Sequence, residues 1–305
     1  MGGIALRAVL VFLLVFATAL LFGAVFAYPV YSLLSLFLDP EFHRVISRTM
    51  LLSGLLFSLL YLRYTGTLSL EGIAWREGRS TKGILFLQGY LAGFLIMLLL
   101  VSSFIFLGIY HFDPAVDTTV AALVKITIKG LLAGLVVGLV EEVIFRGALL
   151  GGLQKQSNVV IAVLMTSLFY ALVHFLKFRA LPAGFEPGWF TGIEIFPAAL
   201  FRFKFWPTLD ACITLFILGL FLAIVRVRSA SILPCIGMHA AIVLVMKVFF
   251  YLANYTKEND YAYLVNAYDH QFGYLSSGML LLFLVLYYFI DEKRRINNGN
   301  QQGNG

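Results

Sequence analysis

Apolar residues run through this chain in long blocks separated by short polar stretches. Blocks of about 20 residues match a helix that crosses the hydrocarbon core of a bilayer, whereas barrel strands alternate over segments of about 10. Read block by block, the pattern predicts spanning helices over Val9–Ala27, Val45–Leu62, Gly83–Ile109, Thr119–Gln154, Asn158–Phe175, Pro207–Val225, Ile232–Leu252 and Tyr274–Ile290. The expected fold class is all-α, a polytopic membrane helical bundle of about eight transmembrane helices. The first block stops at Tyr28-Pro29. Val25-x-Ala27 resembles a signal-peptide cleavage site, but the block is longer than an ordinary signal h-region and reads as a retained anchor. Between the fifth and sixth blocks, Lys177–Trp206 mixes Gly, Pro and aromatic residues with Arg202 and Lys204. That composition suits an interfacial segment lying on the membrane or an ordered loop. No internal repeat or break in composition divides the chain. Residues 1–295 are expected to form a single integral membrane domain, ahead of a disordered Asn/Gln/Gly tail at 296–305.

Composition sharpens this picture. The 305 residues are 61% hydrophobic and 12% charged, with a mean hydropathy of +0.91. Soluble domains carry about 25% charged residues. The net charge of +6 lies mainly in loops and does not indicate nucleic-acid binding. Arg7, the Arg63–Lys82 loop, Lys155, Arg226–Arg228 and Lys293–Arg295 fall on one side. Asp39, Glu41, Asp113, Asp117, Asp260 and Asp269 fall on the other, with Arg44 and Lys257 among them. By the positive-inside rule, both termini are expected in the cytoplasm, in a multi-pass protein of the plasma or inner membrane. Cys212 and Cys235 lie inside apolar blocks and make no disulfide framework.

Polar residues interrupt the apolar blocks at Glu141, Glu142 and Arg146, at His174, and at His239. An ionisable residue at membrane depth is costly and marks a functional site by default. At a rise of 1.5 Å per residue, Glu141 lies about 22 Å before the turn near Ser157, and His174 about 26 Å after it. His239 lies about 16–20 Å beyond Arg226–Arg228, so all three can share a pocket reached from the cytoplasm. Gly130, Gly134 and Gly138 recur every four residues, a spacing that lets another helix approach closely. Glu142 and Arg146 continue that row at i,i+4 and read chiefly as a structural ion pair. Glu141 is turned about 100° away, which makes it the better candidate for chemistry. On the next helix, Ser167, Tyr170 and His174 share a face. A carboxylate with two imidazoles in a low-dielectric pocket suits activation of water, with one imidazole positioning it and the other available to an oxyanion. The same two histidines and glutamate are also a zinc ligand set. Spacing leaves both chemistries open.

The ordered set Glu141-Glu142-x-x-x-Arg146, Tyr170-x-x-x-His174 and His239 resembles the CPBP family of CAAX-type and bacteriocin-processing intramembrane proteases, over roughly Thr119 to Phe250. The interval between the first Glu and the first His, 174 − 141 = 33 residues, is similar to that in the CAAX-processing members. The resemblance implies a glutamate-type intramembrane endopeptidase without a cofactor, acting on a membrane-associated peptide or protein. It implies that Glu141 and His174 activate water, that His239 holds the oxyanion, and that Glu142, Arg146 and Tyr170 support the site. Two positions depart from the family pattern. Tyr170 stands where Phe is usual, and Val243 stands where Asn or Asp often follows the last His, with Ser167 or Tyr170 as substitutes. Signatures such as His-Glu-x-x-His, Gly-x-Gly-Asp and Gly-x-Ser-x-Gly are absent. Two other readings fit a polar membrane pocket. One is a non-catalytic scaffold or immunity-type binding protein of the same fold. The other is a proton-coupled transporter, which inverted repeats or paired broken helices would favour and the sequence lacks.

Overall fold

A computed structural model of the chain describes residues 2–75, 79–201, 205–265 and 272–302. Arg76, Arg202, Lys204, Asp269 and residues 303–305 lie outside this set. The long helices are α1 (Gly2–Leu34), α2 (Phe42–Tyr64), α3 (Arg79–Phe106) and α4 (Val120–Glu142). A π-helical segment, Val143–Leu149, continues α4 into α5 (Leu150–Gln156). Next come α6 (Val159–Val173), α7 (Thr191–Phe201), α8 (Phe205–Ser229), α9 (Leu233–Leu252) and α10 (Tyr274–Gln302). Strands β1 (Tyr110–Phe112) and β2 (Ala253–Tyr255) pair antiparallel, with His111 opposite Asn254.

Among the described residues, seven helices are long and apolar enough to cross a membrane. The expected all-α membrane bundle is present, and the helix expected over Asn158–Phe175 is shorter than a full span. α6 has 15 residues, about 22 Å, against a hydrocarbon core of about 30 Å. Asn158 starts it by accepting a hydrogen bond from the Ile161 amide. His174 stops it by turning its ring onto the Tyr170 carbonyl, one of the last carbonyls a helix leaves unpaired. The chain continues through an irregular loop into α7, where Gly192 packs on the Ala24 backbone of α1. The connection read as interfacial or ordered is thus partly helical and packed, with Trp189 and Phe190 left exposed. At the other end, α10 runs on to Gln302, through much of the tail expected to be disordered. A helix already nucleated by its apolar turns adds residues singly at little cost.

Two faces of the bundle follow from the contacts. At the first face, Gly151 in α5 meets Gly72 in the loop after α2, and the Ile232 amide donates to the Ala74 carbonyl. Arg228, near the end of α8, pairs there with Asp291 of α10. At the second face lie β1, β2 and the loop that leads into α4. α3 and α9 run parallel, with Gly89 against Pro234 and Gly93 against Met238. α4 runs antiparallel to α9, with Gly130 against Leu244 and Gly134 against Ala240. α9, packed beside the glutamates, is as buried as α8, and its buried residues include His239.

Candidate active site

The glycine row builds the site. Gly134 and Gly138 have no side chain to separate α4 from α9. A Cβ at Gly134 would overlap the Ala240 carbonyl, and one at Gly138 would stand 3.4 Å from the His239 Cβ. The next member of the row, Glu142, therefore lands beside His239. Its Oε1 accepts from His239 Nδ1 at 2.9 Å and from Arg146 Nη1 at 3.1 Å. Glu142 is fully buried and Arg146 is 2% exposed. The expected pair is present, and it also holds a histidine. From Val143 onward the backbone is π-helical, so the row does not continue straight. Arg146 turns away from α9, donates to the Gly219 carbonyl of α8 at 3.3 Å, and sits 4.3 Å from the centre of the Tyr170 ring. Such π-segments occur frequently at functional sites.

Glu141 faces elsewhere, as its angular offset predicts. Its Oε2 lies 3.8 Å from His174 Nε2 and 3.8 Å from His239 Nε2. The atom is buried and has no hydrogen-bond partner. These separations exceed a direct hydrogen bond and suit a small bridging group. The tautomers follow from the other ring nitrogens. A backbone carbonyl can only accept, so His174 Nδ1 donates its proton to Tyr170 O at 2.7 Å. Glu142, paired to Arg146, likewise accepts from His239 Nδ1. In their neutral forms both imidazoles present an Nε2 lone pair to Glu141 Oε2. Three acceptors thus converge on one point, an arrangement that calls for a proton donor between them.

An apolar cleft of about 180 Å³ leads to this point. Glu141 and His174 line it together with Phe16 and Leu20 of α1 and with Met50 and Phe57 of α2. Nothing in the motifs marked this wall, since α1 and α2 carry no motif residue. The cleft follows α1 and α2 within the bundle.

All six residues singled out in the sequence meet here. Tyr170, 1% exposed, is packed edge-on to Phe145 and 4.5 Å from the His174 ring. Ser167 is not directed at the site: its hydroxyl donates to the Val163 carbonyl at 2.7 Å. Val243 is half-buried on α9. What sequence reasoning missed is the Glu142–His239 bond. The row of small residues ending at Glu142 was the available signal. Among the described residues, no three His, Cys, Asp or Glu side chains are spaced as metal ligands.

Residues 123–245 match the family model described as Rce1-like, type II CAAX prenyl endopeptidase Rce1-like. No curated protein and no solved structure matches the chain. The matched stretch begins in α4 and ends in α9, holds all six site residues, and excludes the α1–α2 wall of the cleft. Over that stretch the chain is similar to the type II CAAX prenyl endopeptidase Rce1-like family, in keeping with the family its motifs resemble.

Proposed function

We propose that this protein is an intramembrane endopeptidase that hydrolyses a peptide bond of a membrane-associated protein or peptide. A water molecule between Glu141 Oε2 and the two Nε2 atoms donates one hydrogen to Glu141 and the other to His174. Glu141 takes its proton as the water oxygen attacks the scissile carbonyl carbon, and later delivers that proton to the leaving amine. His239 takes a second proton from solvent before the attack, so that Glu141 Oε2 and His174 Nε2 remain the acceptors for the water and His239 Nε2 donates to the oxyanion while Glu142 accepts from Nδ1. The observation that carries this reading is the buried, unpartnered Glu141 Oε2 facing both imidazoles. The apolar cleft suits a lipid-modified or strongly apolar substrate segment, in keeping with the description of the matched family.

The test is cleavage by the purified, reconstituted protein of a C-terminal peptide presented with and without a prenyl group. Glu141→Gln is expected to lose at least about 100-fold in cleavage, the typical contribution of a general base, with the thermal unfolding midpoint retained. Undiminished cleavage overturns the assignment. The chemistry is proposed to need no tightly bound metal. Stoichiometric zinc in active protein, with activity lost on removal and restored on return, would recast Glu141, His174 and His239 as ligands. Val243 favours one rival, a non-catalytic binding protein, which predicts retention of the peptide without turnover.

A further inference from the structure

Two lysines stand where the charge bias of the other loops does not place them. Lys125 and Lys129 lie one turn apart on α4, near the second face, and both are exposed. Among the described residues neither makes an ion pair or hydrogen bond. With Asp117, Thr119, Ala122 and Tyr251 they line a polar cleft of about 420 Å³ between the start of α4 and the end of α9. Its walls are fixed, since the Tyr251 hydroxyl donates to the Asp117 carbonyl at 2.7 Å. The Asp117 carboxylate is engaged with its own loop, accepting the Thr119 amide at 2.9 Å. That bond holds its carboxyl below the usual carboxylate range. Lys247, also exposed, precedes Tyr251 by one turn on α9 and adds to the positive charge of this end.

Depth gives the cluster its meaning. Lys125 and Lys129 lie about 8 and 14 Å along α4 from Val120, at the border where the uninterrupted apolar run begins. An ammonium there extends to the headgroup level while its stem stays in apolar surroundings. The positive end of the α4 dipole lies at the same level. Seven residues beyond each lysine, and so on the same side of the helix, stand Leu132 and Val136, 59% and 61% exposed. A cationic cleft therefore sits directly above an apolar track that leads toward the bilayer centre.

We propose that this cleft is a binding site for an anionic phospholipid of the leaflet at the second face. Lys125 and Lys129 hold its phosphate, and an acyl chain lies along Leu132 and Val136. The site is separate from Glu141 and does not depend on the proposed proteolysis. Opposite charges attract at the membrane surface on either face, and a lysine near an anionic surface contributes on the order of fivefold in affinity. The experiment uses the full chain in nanodiscs of phosphatidylcholine with or without phosphatidylglycerol. Retained lipid is counted by native mass spectrometry, and the unfolding midpoint is recorded. The wild type is expected to retain phosphatidylglycerol over phosphatidylcholine and to unfold at a higher temperature when it is present. Lys125→Gln/Lys129→Gln is expected to reduce that retention by at least about tenfold, leaving the midpoint in phosphatidylcholine unchanged. Lys155→Gln, at the opposite end of the same continuous helix, is expected to keep the preference. Equal retention of both lipids by the wild type, undiminished retention by the double variant, or equal loss in Lys155→Gln would overturn the site.

Discussion

Glu142 Oε1 serves two donors from different parts of the bundle, Arg146 one turn along its own chain and His239 of α9. This double use separates its role from that of Glu141, although the two are adjacent in sequence. Glu142→Gln preserves shape but leaves Arg146, 2% exposed, without its counter-charge. Breaking a buried pair by removing one partner costs about 3–5 kcal/mol. The expected outcome is a large fall in the unfolding midpoint, together with reduced cleavage as His239 loses its carboxylate acceptor. Arg146→Gln added to Glu142→Gln is expected to restore part of the stability and not the cleavage. A double variant no more stable than the single would show that the pair is not coupled. The result separates a structural carboxylate from the proposed base, whose replacement leaves stability unchanged.

α4 and its continuation act as one positioning device. Gly134 and Gly138 set the distance to α9, and the π-segment then redirects Arg146 toward α6 and α8. Gly134→Leu is expected to force the two helices apart. Overpacking of this kind costs about 1–3 kcal/mol or more, and the His239-to-Glu141 separation should widen with it. The check is a lowered unfolding midpoint with cleavage lost in proportion, and a variant of unchanged stability and activity would refute the close approach. Much at this scale was legible beforehand. The four-residue glycine spacing pointed at a helix contact, and helix rise alone brought Glu141, His174 and His239 to one depth. The π-segment was not legible, because the run from Val143 to Leu149 carries no proline, and its glycine, Gly147, packs against Ile73 as other helical glycines here pack against neighbours. Nor was the shortness of α6, since apolar residues continue past the point where His174 caps the Tyr170 carbonyl. The Glu142–His239 bond joins positions 97 apart, and one sequence does not reveal which of two neighbouring carboxylates meets a given histidine. The α1–α2 wall escaped for a simpler reason: packing against a cleft and packing against lipid ask for the same side chains.

At the scale of the whole molecule, the contacts bring Gly2 and Gln302 to the same face, because the short α6 and the segment through α7 together complete one passage. The first face carries Arg63, Lys155, Arg226 and Arg228, and the second carries Asp39, Glu41, Asp113, Asp117 and Asp260. The cytoplasmic placement of the first face is a proposal that rests on this asymmetry, with Arg44, Lys125, Lys129, Lys247 and Lys257 among the exceptions. If Lys129 marks the headgroup level at the second face, Glu141 lies about 18 Å below it along the helix. In a hydrocarbon core of about 30 Å that leaves about 12 Å to the first face. The proposed active site would then sit nearer the cytoplasmic leaflet. Reporter fusions decide the orientation. A fusion after Gln302 is expected to report a cytoplasmic location, and one in the Asp113–Asp117 loop the opposite side. Finding both on one side would break the count of passages. Finding them exchanged would keep the fold and invert the protein, and with it the leaflet from which the substrate comes.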